Sequence, residues 1–206
     1  VTDKQRCVLA SGNAGKLREL GQSLASLDIE LVAQSNFDTP EADETGLTFI
    51  ENALIKARNA CRHSGLPALA DDSGLTVDAL QGRPGIYSAR FAAGSSERKP
   101  TDAENVTHLL ELMENVPQPQ RGARFVCVLV WIEHADDPEP VIASGSWRGS
   151  IATEADGAGG FGYDPVFLVP GTGKTAARLS ADEKKALGHR GQAIGRLLEQ
   201  LGNRLG

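Results

Sequence analysis

The sequence predicts an α/β fold built on a mixed sheet, and three observations carry that expectation. Arg6-Cys7-Val8-Leu9-Ala10 reads as a buried strand that runs into a glycine turn, Ser11-Gly12-Asn13-Ala14-Gly15, and then into a helix. Phe125 to Ile132 is the most apolar run in the chain and reads as a central strand. Three helices are announced by a Ser or Thr followed three residues later by Glu. The 206 residues, 40% hydrophobic and 23% charged, have the composition of an ordinary folded protein. Such a chain buries on the order of 70% of its unfolded surface and needs no disulfide or metal staple to fold.

The elements follow in chain order. From Lys16 to Leu27, Leu17, Leu20, Leu24 and Leu27 recur at helical spacing. A strand, glycine turn and helix in succession aim unpaired N–H groups at one place, which favours an anion there, and Lys16 adds a positive charge. Ile29 to Ala33 reads as a second strand. The acidic loop Asp38 to Gly46 carries four carboxylates, usually the mark of a solvated surface. Thr48 and Glu51 box the next helix, whose apolar face is Phe49, Ala53, Ala57, Ala60 and Cys61, while Thr48, Asn52, Lys56 and Asn59 line another face.

Pro67 to Ala70 reads as a strand ending at Asp71-Asp72-Ser73-Gly74. If strand geometry continues, the two carboxylates point to opposite faces, one free to hold a metal or take a proton, the other to anchor a basic side chain. Taken alone, a simple turn is the stronger reading of Asp-Asp-Ser-Gly. Leu75 to Leu80 alternates and reads as a strand, broken by Gly82-Arg83-Pro84-Gly85. Tyr87 to Pro100 reads as loop, and Thr101 with Glu104 starts a helix to about Met113. Val141 to Ile151 can neighbour the central strand across an Asp136-Asp137-Pro138 turn. Val166 to Val169 is a short strand. Ser180 and Glu183 box the final helices, whose apolar positions are Ile194, Leu197, Leu198 and Leu201, interrupted at Gly188-His189-Arg190-Gly191.

Several classes are disfavoured. A net charge of −6 argues against a nucleic-acid surface, which must neutralise many phosphates. No apolar stretch approaches the roughly 20 residues that span a bilayer, and no signal-peptide core follows the N-terminus, so a cytoplasmic protein without membrane partners is expected. Cys7, Cys61 and Cys127 form no Cys-x-x-Cys pair and read as reduced core residues. Gly157 to Gly162 satisfies G-x-G-x-x-G literally, but Pro165 and the strand after it exclude the helix that fingerprint requires. Gly171 to Thr175 ends like a Walker loop, yet Leu168 stands where its first glycine belongs. The four histidines make no metal-ligand pair.

What remains is the Ser11 to Lys16 turn, Glu44, Lys56, Asp72-Ser73, and a C-terminal set of Phe161, Tyr163, Asp164, Lys184, His189 and Arg190. These are the parts of a nucleoside triphosphate site. Carboxylate oxygens of Glu44 and Asp72 suit Mg²⁺, Lys16, Lys56 and Lys184 offset phosphate charge, Phe161 can stack on a base, and His189 and Arg190 can donate to its edge.

The chain resembles the inosine and xanthosine triphosphate pyrophosphatases, a family that clears non-standard purine nucleotides. The resemblance covers nearly the whole chain through six ordered motifs: Ser11 to Lys16, Glu44 to Ala53, Ala70 to Leu75, Pro84 to Arg90, Gly160 to Pro165, and His189 to Gly191. It implies one domain over residues 1–206, made of two lobes around a central substrate cleft with no linker, a homodimer, Mg²⁺ dependence, and hydrolysis to monophosphate and pyrophosphate. By motif it implies that Asp72 is general base and Mg²⁺ ligand and Glu44 a second ligand. Ser11, Gly12, Asn13, Ala14, Gly15, Lys16, Lys56, Ser73 and Lys184 would contact substrate or phosphates. Phe161, Gly162, Tyr163 and Asp164 would line the nucleoside, and His189 and Arg190 would read the base. Two departures stand out: Ser11 is where Thr is common, which keeps the hydroxyl, and Gly188 is where Ser often precedes His-Arg, which removes one. An orthophosphate-releasing nucleotide phosphohydrolase and a nucleotide-sensing module are the rival readings of the same parts.

Overall fold

The computed structural model describes residues 4–94 and 98–205; part of the loop read over Tyr87 to Pro100 lies outside them. Among the described residues the strands are β1 (Gln5–Leu9), β2 (Ile29–Ala33), β3 (Ala68–Val77), β4 (Gly122–Ile132), β5 (Val141–Ile151) and β6 (Phe167–Leu168). They form one six-stranded sheet in the order β2-β1-β3-β4-β5-β6. It is mixed: β1 runs parallel to β2, with Gln5 opposite Ile29, and parallel to β3, with Val8 opposite Ala68, whereas β5 and β6 are antiparallel. The helices are α1 (Ala14–Leu24), α2 (Phe49–Ser64), α3 (Asp102–Leu112), α4 (Ala181–Leu187) and α5 (His189–Leu205). The α/β mixed sheet expected from the pattern is therefore the observed one.

The described residues gather into two compact units. One comprises Val1–Asp72, Cys127–Gly145 and Gln192–Gly206, and the other Ser73–Val126 and Ser146–Gly191. The first has a core of Leu9, Leu20, Leu24, Leu69, Leu129, Trp131, Ile194, Leu197 and Leu201, so the apolar stripe of α5 finds its partners there. The second packs Leu75, Val77, Leu109, Met113, Phe125, Trp147, Val166 and Phe167. β4 is buried without a break from Cys127 to Ile132, as its continuous apolar run demands, while β5 alternates buried and exposed positions through Trp147. Cys7, Cys61 and Cys127 are buried and none is in a disulfide among the described residues.

Local chemistry moves several boundaries. α1 begins at Ala14 because Asn13 caps it, accepting the N–H groups of Gly15 and Lys16 at 2.8 and 3.1 Å. It gives way at Ala25–Leu27 to a 3₁₀ turn that ends on left-handed Asp28. Thr48 caps α2 as expected, but Glu51 reaches back to the Leu47 N–H and the Thr48 hydroxyl. The boxes at Thr101 and Ser180 are complete and reciprocal. Asp164–Val166 is a single 3₁₀ turn, which shortens the expected strand to Phe167–Leu168. Only Gly188 separates the last two helices, so His189 and Arg190 open α5 instead of lying in a longer break.

The largest difference concerns Asp71-Asp72-Ser73-Gly74. The turn that local preference favoured is not made; β3 runs straight through all four residues. Neighbouring strands lie on both sides of β3, and the Val8 and Ala10 N–H groups donate to Pro67 and Leu69 carbonyls at 2.8 Å. Sheet pairing outweighs the turn propensity of the four side chains.

Candidate active site

β3 passes two carboxylates through the sheet in succession, so they face opposite ways and acquire different partners. Asp71, with its side chain 2% exposed, takes Lys16 from α1 through both oxygens, at 2.7 and 3.0 Å. Asp72 takes Lys56 from α2 through Oδ1 at 2.8 Å. Its Oδ2 is buried with no hydrogen-bond partner among the described residues. Burial pushes the Asp72 carboxyl above its usual range; Lys56 pulls it back only in part, and Glu44 and Asp71 add to the rise.

Lys56 also lies 3.7 Å from Glu44 Oε1, so one ammonium is shared by two carboxylates. Glu44 is placed by the polar stripe of α2. Asn59 donates to the Pro40 carbonyl at 2.8 Å, and fully buried Asn52 accepts the Gly46 N–H at 2.9 Å. The stripe Thr48, Asn52, Lys56 and Asn59 is thus the seam that ties the acidic loop to the helix. Gly46 has no room for a side chain, since a Cβ would sit 2.6 Å from Glu51 Cβ and 2.7 Å from Asn52 Oδ1. Asn52 and Asn59 were absent from the candidate residues; their helical register with Lys56 was the signal that could have found them.

At the first turn of α1, Ser11 Oγ accepts the Asn13 N–H at 3.2 Å, and Asn13 itself holds two helix-opening amides. Gly12, Asn13, Ala14 and Gly15 are exposed, with Lys16 partly so. All of these residues, with Glu44, Lys56 and Asp72, belong to the first unit.

The second unit holds the remaining candidates. Ser73 Oγ is 3.4 Å from Arg190 Nη2. Phe161 is 63% exposed, with Lys184 Nζ 4.9 Å and Arg190 Cζ 5.9 Å from its ring centre. Buried Asp164 accepts the Phe161 N–H at 2.8 Å and pairs with Lys184. Gly160 is left-handed at φ +78°, and a Cβ there would strike both Asp164 and Lys184, which explains the glycine. Tyr163 is buried, its hydroxyl donating to the Ser88 carbonyl at 2.9 Å, and burial lifts its pKa well above the ordinary phenol value. His189 stacks on Phe125 at 5.0 Å and 16°. The Gly188 position also has no space: a Cβ would lie 2.4 Å from the Lys184 carbonyl oxygen.

Each of the three candidate phosphate lysines is therefore paired with a carboxylate: Lys16 with Asp71, Lys56 with Asp72 and Glu44, and Lys184 with Asp164. The donor set around Lys56 fits a hard divalent cation, since two carboxylates already share one positive charge there. Among the described residues no group of three or more His, Cys, Asp or Glu side chains is arranged to hold a metal. Two carboxylates are nonetheless a normal protein contribution for Mg²⁺, which takes its other ligands from water and phosphate.

Comparison with known proteins gives a consistent result. A family model described as the Ham1 family matches residues 7–200. A protein of Shigella flexneri named dITP/XTP pyrophosphatase is 55% identical over 199 residues, covering 97% of this chain and 99% of its own. One of Thioalkalivibrio sulfidiphilus with the same name is 56% identical over 200 residues, covering 97% and 100%. The solved structure of a HAM1 protein from Coxiella burnetii superposes with a TM-score of 0.91 at 47% identity, over 97% of this chain and 99% of that one.

Proposed function

The chain belongs to the Ham1 family, and from that premise we propose that it is a Mg²⁺-dependent nucleoside triphosphate pyrophosphatase. It hydrolyses non-standard purine nucleoside triphosphates, those of inosine, deoxyinosine and xanthosine, to monophosphate and pyrophosphate. The observation that carries the reading is Asp72, a buried carboxylate with a raised pKa, one oxygen on Lys56 and the other without a hydrogen-bond partner among the described residues.

The chemistry follows from the side chains. Lys16, Lys56 and Lys184, with the Ser11 to Lys16 turn and Ser73, hold the triphosphate; their carboxylate partners keep the ammonium groups oriented before substrate arrives. Glu44 and Asp72 would hold Mg²⁺, which would supply charge neutralisation to the triphosphate. Asp72 orients a water and accepts its proton at Oδ2, and burial makes this carboxylate a stronger base than one in water. The hydroxide equivalent forms a bond to the α-phosphorus as the bond to the bridging oxygen breaks, and pyrophosphate leaves. Positioning and fixed charge supply most of the acceleration.

Phe161 stacks on the purine with Gly162, Tyr163 and Asp164 around the nucleoside, and Arg190 and His189 donate to its edge. A 6-oxo acceptor facing Arg190 favours hypoxanthine and xanthine over adenine. The ordered motifs run through nearly the whole chain and support a single domain over residues 1–206. The resemblance of the motifs also supports a homodimer in the cytoplasm and a role in keeping such nucleotides out of DNA and RNA. Among the described residues no helix is long and apolar enough to cross a membrane.

Phosphorus NMR of the products from inosine triphosphate, with and without Mg²⁺ and beside GTP and ATP, tests the reading. Pyrophosphate and monophosphate from inosine triphosphate, with GTP and ATP nearly untouched, are expected. Orthophosphate with diphosphate overturns the α-phosphorus attack, and no product overturns the enzyme.

A further inference from the structure

We propose that Asp102 is a positioning residue for base recognition: from the first turn of α3 its carboxylate holds the Gly160 to Tyr163 turn so that the Phe161 ring is presented to the purine. This deepens the nucleotide reading above and rests on it.

The turn is soft by itself. Phe161 lies between two left-handed glycines, Gly160 at φ +78° and Gly162 at φ +60°, and glycines lose more backbone freedom on ordering than any other residue. Two carboxylates take its amides. Asp164, three residues on, accepts the Phe161 N–H at 2.8 Å, and Asp102, sixty residues away in sequence, accepts the Gly162 N–H at 2.6 Å. The local contact shapes the turn. The distant one ties it to a second element, and Tyr163 ties its end to Ser88.

A capping role does not account for Asp102. The N-terminus of α3 is already capped by the reciprocal Thr101 and Glu104 box, reinforced by Arg98 on Glu104 at 2.6 Å. Asn105, 2% exposed, fastens the same turn of the helix to the 85–92 segment, accepting the Ala92 N–H at 2.9 Å. Asp102 therefore projects from a rigid base, and its oxygen is spent on the loop. The ring it orients is exposed, with Lys184 and Arg190 beside it.

Releasing the turn lowers the fraction of molecules with Phe161 in place, and apparent affinity falls by that fraction. Chemistry on bound substrate is unchanged because Asp102 touches none of the reacting groups.

The test compares wild type, Asp102→Ala and Asp102→Asn in steady-state hydrolysis of inosine triphosphate and in amide hydrogen exchange. In Asp102→Ala, KM is expected to rise on the order of tenfold with kcat within about twofold. Asn keeps an acceptor oxygen and should recover most of the loss. Exchange should quicken in Gly160 to Tyr163 of the Ala variant while the amides of α3 keep their protection. A wild-type KM, unchanged exchange in the turn, or lost protection throughout α3 each overturns the proposal, the last by showing a helix-stability role. If wild type itself leaves inosine triphosphate intact, the nucleotide reading fails and base recognition with it; exchange then still shows separately whether Asp102 holds the turn.

Discussion

Asp72→Asn separates the catalytic role of this carboxylate from its structural one. In the wild type, Oδ1 accepts from Lys56 at 2.8 Å and buried Oδ2 has no hydrogen-bond partner among the described residues. Asn keeps an acceptor for Lys56 but cannot take a proton from water, so the loss of a general base, about 10²- to 10⁴-fold in rate, should appear in kcat. That corresponds to about 3–5.5 kcal/mol of transition-state stabilisation. The stability effect has the other sign. Burial raises the folded-state pKa of Asp72, so the folded protein holds this proton more tightly than the unfolded chain. The contribution is favourable below the unfolded value and becomes a cost as pH rises through the folded one. At neutral pH the charged group opposes folding. Asn removes that cost, leaves a buried NH₂ in exchange, and weakens the tie to Lys56, which retains Glu44 at 3.7 Å. The opposed terms leave Tm within a few degrees of wild type, by about 2–4 °C per kcal/mol for a chain of this size. The assay is pyrophosphate release at saturating inosine triphosphate beside a thermal melt. A variant that turns over near the wild-type rate refutes the assignment of Asp72. A collapsed Tm refutes the energetic argument, because lost activity would then report unfolding.

Three further outcomes follow from the packing. Gly46→Ala places a Cβ against Glu51 and Asn52, so it should destabilise by about 1–3 kcal/mol in urea titration and raise the Mg²⁺ concentration needed for half-maximal activity by displacing Glu44. Arg121→Met should be the most damaging: the buried guanidinium donates to the carbonyls of Ile151, Met113, Val116 and Ala152, and orphaning these acceptors costs about 3 kcal/mol or more, read as a lower urea midpoint. Asp137 is buried, which alone would raise its pKa. The Glu133 and Glu139 N–H groups at 3.0 and 2.8 Å, with Arg204, outweigh burial and hold it below the usual carboxylate range. Its contribution is therefore present above the unfolded value of about 3.9 and lost as pH falls through the lower folded value. Asp137→Asn should lose about 1–3 kcal/mol at pH 7 and show a flatter acid limb below about pH 4; equal slopes would contradict the assignment.

Features whose cause is local were legible in the chain. The reciprocal caps at Thr101 and Ser180 and the unbroken apolar run of β4 each follow from a few neighbouring side chains. The residue types of the candidate site were legible for the same reason: lysines, carboxylates and a glycine-flanked aromatic state their chemistry without coordinates. Partnership was not. Asp71 and Asp72 are adjacent and identical in type, and only the parallel pairing of β3 with β1, beside α1 and α2, gives the first to Lys16 and the second to Lys56. Sheet pairing also turned a sequence made for a turn into strand, because ladder bonds within the sheet outweigh the modest preferences of Asp, Ser and Gly. Asn52 on Gly46 and Arg121 on its four carbonyls answer a demand raised by burial, that every polar backbone group removed from water find a partner. Sequence alone determined which groups this protein has to offer. Which of them meet was decided by long-range packing, since contacts such as Asp102 with Gly162 are made between residues sixty positions apart, where no local preference reaches.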